Sequence, residues 1–144
     1  MTLTPDAAAL TPAAAEKILA DNFAPWVLDL GLSVASVDGS EAVLRLPWSD
    51  RLAREGGGLS GQALMAAADT ATVIAVAATR GGFVPMTTVQ QSITFQRAVL
   101  GSDVLVRARL TKSGKRMAFA DITMTADGTE EIAAHATAVY ALLG

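Results

Sequence analysis

The sequence predicts an α+β fold in which one antiparallel β-sheet curls around one long, alanine-rich helix. Three observations lead there. Residues 63–79 form the most apolar run, inside a helical segment from Leu59 to about Thr79 that has a capping serine, Ser60, and ends at Arg80-Gly81-Gly82, which describes a helix buried on most faces and stopped by glycine. Val104, Val106, Ala108 and Leu110 alternate with Leu105, Arg107, Arg109 and Thr111, the period-two pattern of a half-buried strand. The other strand-like runs are joined by short glycine-containing links, which imply antiparallel neighbours.

The elements follow in order. Thr11-Pro12 before AAAEKILADN reads as a capped helix with proline at its first position, ending near Asn22. Leu32–Val37 and Glu41–Leu46 flank Asp38-Gly39-Ser40, a strand–turn–strand signal, and Pro47 ends the second strand. Residues 48–58 lack periodicity and close on Gly56-Gly57-Gly58, so they form a loop with unusual backbone angles. After the long helix, strands are expected over Met86–Arg97, from Val104, over Arg116–Ala126 and over Glu131–Leu142. Their links are Leu100-Gly101-Ser102, Ser113-Gly114-Lys115 and Asp127-Gly128, each expected to make its flanking strands neighbours. No repeat or second domain is evident: residues 1–22 read as a lead-in and helix to one domain over 23–144.

Composition excludes several chemistries. Of 144 residues 51% are hydrophobic, but 29 are alanine and only 5% aromatic, so much of the apolar surface is small. With no cysteine and one histidine, a disulfide framework, thiolate catalysis and a His/Cys zinc site are all out, and no metal or cofactor is expected. A Ser-His-Asp triad would have to use His135, which alternates with Ala134 and Ala136 and reads as a surface or sheet-edge residue. A net charge of −3 and pI near 5.0 argue against a nucleic-acid partner. The start, MTLTPDAAALTPAAAEK, lacks the basic region of a signal peptide. Asp69 inside the apolar helix would cost about 2.5–3.5 kcal/mol in a bilayer. The expectation is a cytoplasmic chain without membrane association.

Two features carry chemistry. Gly56-Gly57-Gly58-Leu59-Ser60-Gly61 spells a G-x-G-x-x-G before a helix, yet the dinucleotide fingerprint requires a parallel βαβ unit and an acid about 20 residues on, and the next acid after Asp69 is Asp103. What remains is either a tight turn and cap, or a glycine-rich approach to a helix N-terminus, whose free N–H groups suit an oxyanion or polarised carbonyl. Asp69 is the second: a carboxylate among Ala, Met and Val is costly unless it reaches solvent or a partner, or is functional. It lies eight residues after Gly61, about 12 Å along one helix axis. If both serve one reacting carbon, they come from two subunits.

A third clue is charge: Arg97, Arg107, Arg109, Lys112, Lys115 and Arg116 face a single acid, Asp103, between positions 97 and 116. This suits a phosphate-bearing ligand, or equally a set of solvated strand faces. Trp26, Trp48, Phe83 and Phe119 read as core or interface anchors. Leu64, Met65, Phe83 and Met86 are candidates for an acyl pocket or for ordinary core.

Taken together, PWVLDLGLSVASVDGSEAVLRLP, the helix GLSGQALMAAADTATVIA, the strand TTVQQSITFQRA and the ending GKRMAFADITMTADGTEEIAAHATAVYAL resemble the hotdog-fold thioesterases, in the branch of the phenylacetate-pathway acyl-CoA thioesterase (4-hydroxybenzoyl-CoA thioesterase-like). The match spans roughly residues 23–143. The resemblance implies a hotdog fold and hydrolysis of an acyl-CoA thioester by a homodimer or homotetramer with shared sites. The Gly61 amide would polarise the carbonyl, Asp69 of the partner subunit would act as base or nucleophile, and Thr88 would orient water. Ser60, Gln62 and Arg54 would border the thioester, while Arg97, Lys115 and Arg116 would take the coenzyme A phosphates. Three positions depart from the family pattern: Ser60 stands for its His, Arg54 for its Asn and Gln62 for its second Gly. The alternative these departures raise is a hotdog protein that binds a thioester without turnover.

Overall fold

The computed structural model describes residues 10–143; the expected N-terminal lead-in over 1–9 lies outside the described residues. Thr11 caps α1 (Pro12–Asn22), its hydroxyl accepting from the Ala14 amide at 3.1 Å. Ala15, Ile18 and Leu19 turn into the core, and Glu16 accepts from the Val34 amide at 2.6 Å, tying α1 to the first strand. A one-turn helix, α2 (Pro25–Leu28), leads to the hairpin β1 (Ser33–Val37) and β2 (Glu41–Leu46). Asp38 Oδ1 closes that turn by accepting from the amides of Ser40 and Glu41, as short carboxylates do in turns. A short 3-10 turn, Asp50–Leu52, interrupts the loop.

The long helix α3 (Gly61–Arg80) begins at the cap expected for it. Ser60 Oγ accepts from the Ala63 amide at 3.2 Å, and Gly81 ends the helix at φ 77°, a left-handed conformation that glycine adopts freely. Four strands follow: β3 (Met86–Phe95), β4 (Val104–Ser113), β5 (Met117–Ala126) and β6 (Ile132–Leu142). They join β1 and β2 in one six-stranded sheet of order β1-β2-β4-β5-β6-β3, every pair antiparallel.

One expected neighbour pair is wrong. The link through Leu100-Gly101-Ser102 does not place β3 beside β4; β4 lies between β2 and β5, and β3 pairs with β6 at the far edge. The connection spans residues 96–103, long enough to cross the sheet rather than turn back on itself. It is anchored on the way, with Val99 buried and its carbonyl accepting from the Leu59 amide at 2.9 Å.

The sheet wraps α3. Thirteen α3 residues are buried, seven of them alanine, so the backbone of β2 and β4 approaches closely. Leu44, Leu46, Ile74, Ile122 and Met124 fill the remaining space. By length and hydropathy α3 also resembles a membrane span, but 72% of that window is buried inside the fold. Phe83 and Trp26, expected as anchors, are largely exposed in the single chain, Trp26 at 61%; Trp48 packs against the core.

Candidate active site

The site begins with a defect in a strand. β3 and β6 pair Met86 with Leu142 and Thr88 with Tyr140, then skip a residue, so that Gln90 meets Val139 and Ile93 meets Ala136. Val89 is the extra residue of a β-bulge. Without it, side chains at 86, 88, 90 and 92 would share one face. With it, Thr88 faces α3 on one side of the bulge and Gln91, Ile93 and Phe95 face it on the other. Bulges often re-aim side chains in this way beside active sites.

Consequently three polar contacts run between β3, β6 and α3. Thr88 Oγ1 donates to Asp69 Oδ1 at 2.8 Å. The Tyr140 hydroxyl donates to the same oxygen and lies 3.1 Å from the Asp69 carbonyl. Gln91 Nε2 donates to the Met65 carbonyl at 3.0 Å, while its buried Oε1 finds no partner among the described residues. Asp69 is half-buried rather than sunk in the alanine core. Its Oδ2 receives no hydrogen bond from a described residue, and its carboxylate borders a groove of about 370 Å³ lined by Trp26, Gln62, Met65, Ala66, Thr88 and Gln91. Tyr140, 3% exposed, is held protonated: burial pushes its phenol far above the ordinary value of 10.0, and the neighbouring Asp69 charge adds to this.

Gly61 stands elsewhere. It shares a second groove, about 350 Å³, with Arg54, Leu64, Phe95 and Arg97. No described residue accepts from the amides of Gly61 and Gln62 at the start of α3, so their partial positive charge is available. The Phe95 ring packs over Gly61, whose Cβ would come within 3.1 Å of it. Before the helix, Gly56 and Gly57 adopt φ near 90°. The Arg54 guanidinium folds over this loop, donating to the Glu55 carbonyl at 2.8 Å and lying against Gly58.

The expected phosphate cations are also divided. Lys115 and Arg116 line a groove of about 730 Å³ together with Arg80, at the C-terminal end of α3. Arg97 is at the opposite end and pairs with Glu131 at 3.2 Å. Arg107 and Arg109 pair with Glu41 and Asp121 across the strands, so part of the positive cluster is neutralised in place. Ser60 and Gln62 border a pocket of about 270 Å³ beside Trp26, Asp29 and Arg51. His135 lies on the outer face, 3.4 Å from Asp121, away from Asp69. Of the proposed acyl-pocket residues, Met65 reaches the Asp69 groove, Leu64 the Gly61 groove, and Phe83 and Met86 a small space behind Tyr140.

Sequence reasoning missed Tyr140. Its signal was parity: Ala134, Ala136 and Ala138 are the inward residues of β6, and Tyr140 is the next position on that face.

Known proteins share this fold. A putative thioesterase from Silicibacter sp. TM1040 is 29% identical and superimposes with a TM-score of 0.83, covering 94% of this chain and 93% of that one. The PaaI protein of the E. coli phenylacetic acid degradation operon is 19% identical at a TM-score of 0.80, covering 94% and 97%. A hypothetical thioesterase protein from Streptococcus pneumoniae TIGR4, solved with coenzyme A, is 16% identical at 0.72, covering 78% and 86%. The last two likenesses show the hotdog fold alone. Curated proteins give no sequence match. The family model of the thioesterase superfamily matches residues 56–133, more than half of the chain and the stretch that carries Gly61, Asp69 and Thr88; the chain belongs to the thioesterase superfamily.

Proposed function

We propose that this protein is an acyl-CoA thioesterase whose active site forms between two subunits. The observation that carries this reading is the separation of Gly61 and Asp69 into two grooves about 12 Å apart, joined by one unpaired strand edge. β3 is one of the two edge strands of the sheet, opposite β1, and none of its ten residues is buried. Its outward N–H and C=O groups, with exposed Val89 and Phe95, form the kind of edge that another strand covers. Along β3, Thr88 touches Asp69 and Phe95 covers Gly61. Two β3 strands paired antiparallel about a point between Gln91 and Ser92 would therefore bring Phe95 and Gly61 of one subunit beside Thr88 and Asp69 of its partner. A two-fold axis makes two such sites.

In this assembly the Gly61 amide donates to the thioester oxygen and stabilises the negative charge that develops there. Asp69 supplies the carboxylate. As a base it takes a proton from water while the hydroxide oxygen bonds to the carbonyl carbon; collapse breaks the C–S bond, and the thiolate recovers the proton as coenzyme A. As a nucleophile it bonds to the carbonyl carbon, and the adduct collapses by breaking the C–S bond and releasing the coenzyme A thiolate. Water then hydrolyses the mixed anhydride, restoring the Asp69 carboxylate and supplying the proton that the thiolate takes. Trp26, Met65 and Ala66 give the acyl group an apolar wall. Lys115 and Arg116, joined by Arg80, lie about 16 Å along α3 from Asp69, a reach that suits a pantetheine arm ending in phosphates. The coenzyme A bound to the S. pneumoniae thioesterase supports that ligand class.

Free-thiol release from a panel of aryl- and alkyl-CoA thioesters tests the reading. Wild type is expected to turn over at least one member, and Asp69→Asn to abolish release while retaining binding. Binding without release by wild type would contradict hydrolysis.

A further inference from the structure

We propose that Tyr140 is the positioning residue of the Asp69 carboxylate, clamping Oδ1 together with Thr88 so that Oδ2 is the oxygen presented to the groove. The proposal rests on the thioesterase reading of this site and adds a residue and an atom assignment to it.

Four observations support it. Register places Tyr140 directly opposite Thr88, immediately before the Val89 bulge, so both hydroxyls reach Asp69 from adjacent strands. Both donate to the same carboxylate oxygen. The Tyr140 hydroxyl also lies within 3.1 Å of the Asp69 backbone carbonyl, which fixes the side chain relative to the helix as well as to the carboxylate. Finally, Tyr140 is only 3% exposed and stands on the inward face of β6, with Phe23, Val73, Phe83 and Met86 bordering a small space behind it. Among the described residues lining that space or the groove in front, Asp69 is the one charged side chain.

The chemistry follows from what each group can do. A phenol donates one hydrogen bond, and a carboxylate has two oxygens with about four acceptor sites. Two donors on Oδ1 leave Oδ2 as the more basic and more accessible oxygen, held at a fixed angle to the substrate. Tyr140 is not among the residues lining the groove that Asp69 borders; it acts through Asp69. Its phenol remains a donor through the working pH range because burial and the adjacent negative charge both oppose its ionisation.

Tyr140→Phe removes the hydroxyl and keeps the ring. The expected result is a kcat lowered about 10- to 100-fold, the worth of a hydrogen bond to a charged group, with KM within about twofold because ground-state binding is untouched. A kcat within a factor of two of wild type in a normally folded variant would overturn the proposal. A second measurement needs no turnover. Tyr140 is the only tyrosine of the chain, so phenolate absorbance on alkaline titration reports this residue alone. Wild type should show phenolate only as it unfolds; Asp69→Asn removes the charge but not the burial, so its phenolate should appear at a lower pH than in wild type when each is compared with its own circular dichroism transition. An identical titration in both proteins would overturn the coupling. Absence of thiol release by wild type would instead overturn the hydrolase reading and leave the titration to decide the Tyr140–Asp69 pairing.

Discussion

Thr88 has one hydroxyl proton, and Asp69 Oδ1 receives it. In the proposed site Thr88 can therefore meet a water molecule only as an acceptor, orienting it by one O–H bond and leaving the other for Asp69. The residue-level division of labour extends to the departures from the family pattern. Ser60 caps α3 through Ala63, and Arg54 braces the glycine loop through the Glu55 carbonyl, so both positions have structural work within the chain. Lys115 and Arg116 differ: neither makes an ion pair with a described residue. In the proposed site they hold phosphates. Replacing both by alanine should raise KM for acyl-CoA about tenfold or more, the scale of a lost charged hydrogen bond, with little change in kcat and no change with a thioester that lacks the nucleotide. Equal loss with both substrates would move the phosphate site elsewhere.

At the scale of elements, local signals were readable and non-local ones were not. The Ser60 cap, the Gly81 stop and the Asp38-Gly39-Ser40 turn are each set by a few adjacent residues, and they stand where the sequence places them. The period of β4 likewise gave its buried face, Val104, Val106, Ala108 and Leu110. The position of β3 was not legible, because a short glycine link is compatible with a crossover when both flanks of β4 are already taken. The Thr88–Tyr140 pair was hidden for the same reason, since 52 residues and a bulge separate its members from any sequence pattern. Other elements are joined by charge. Asp103 accepts from the Trp48 amide at 2.8 Å and from Arg45 at 3.0 Å, and Arg45 also binds Asp127 at 2.9 Å, linking the ends of β2, β4 and β5. The Trp48 amide first, then Arg45, holds the Asp103 carboxyl below its ordinary 3.8. A depressed carboxylate contributes stability above its unfolded value, lost as pH falls through the folded one. Asp103→Asn should therefore lower the melting temperature at neutral pH, and the gap to wild type should close as pH falls below 3.8. A gap unchanged at acid pH would assign the loss to packing.

For the whole molecule, one chain completes a fold, while the two halves of the proposed site, Gly61 and Asp69, lie apart on it. The alanine-rich helix is what keeps those halves on a single rigid element, with a helix N-terminus at one end of β3 and a carboxylate at the other. In the proposed assembly the β3 edge between them joins two copies. Mixed dimers test this most directly. Gly61→Pro removes the N–H at a helix position where proline is tolerated, and the extended Ser60 before it (ψ 149°) accepts a following proline; the exposed Phe95 ring must shift to admit it. Gly61→Pro and Asp69→Asn are each expected to be inactive. When the two are unfolded together and refolded as a mixture, half of the dimers are hybrids, and each hybrid has one site with both groups intact. Thiol release should then return to roughly a quarter of the wild-type rate if subunits pair at random. A mixture that forms hybrids and remains inactive would show that Gly61 and Asp69 do not meet across subunits.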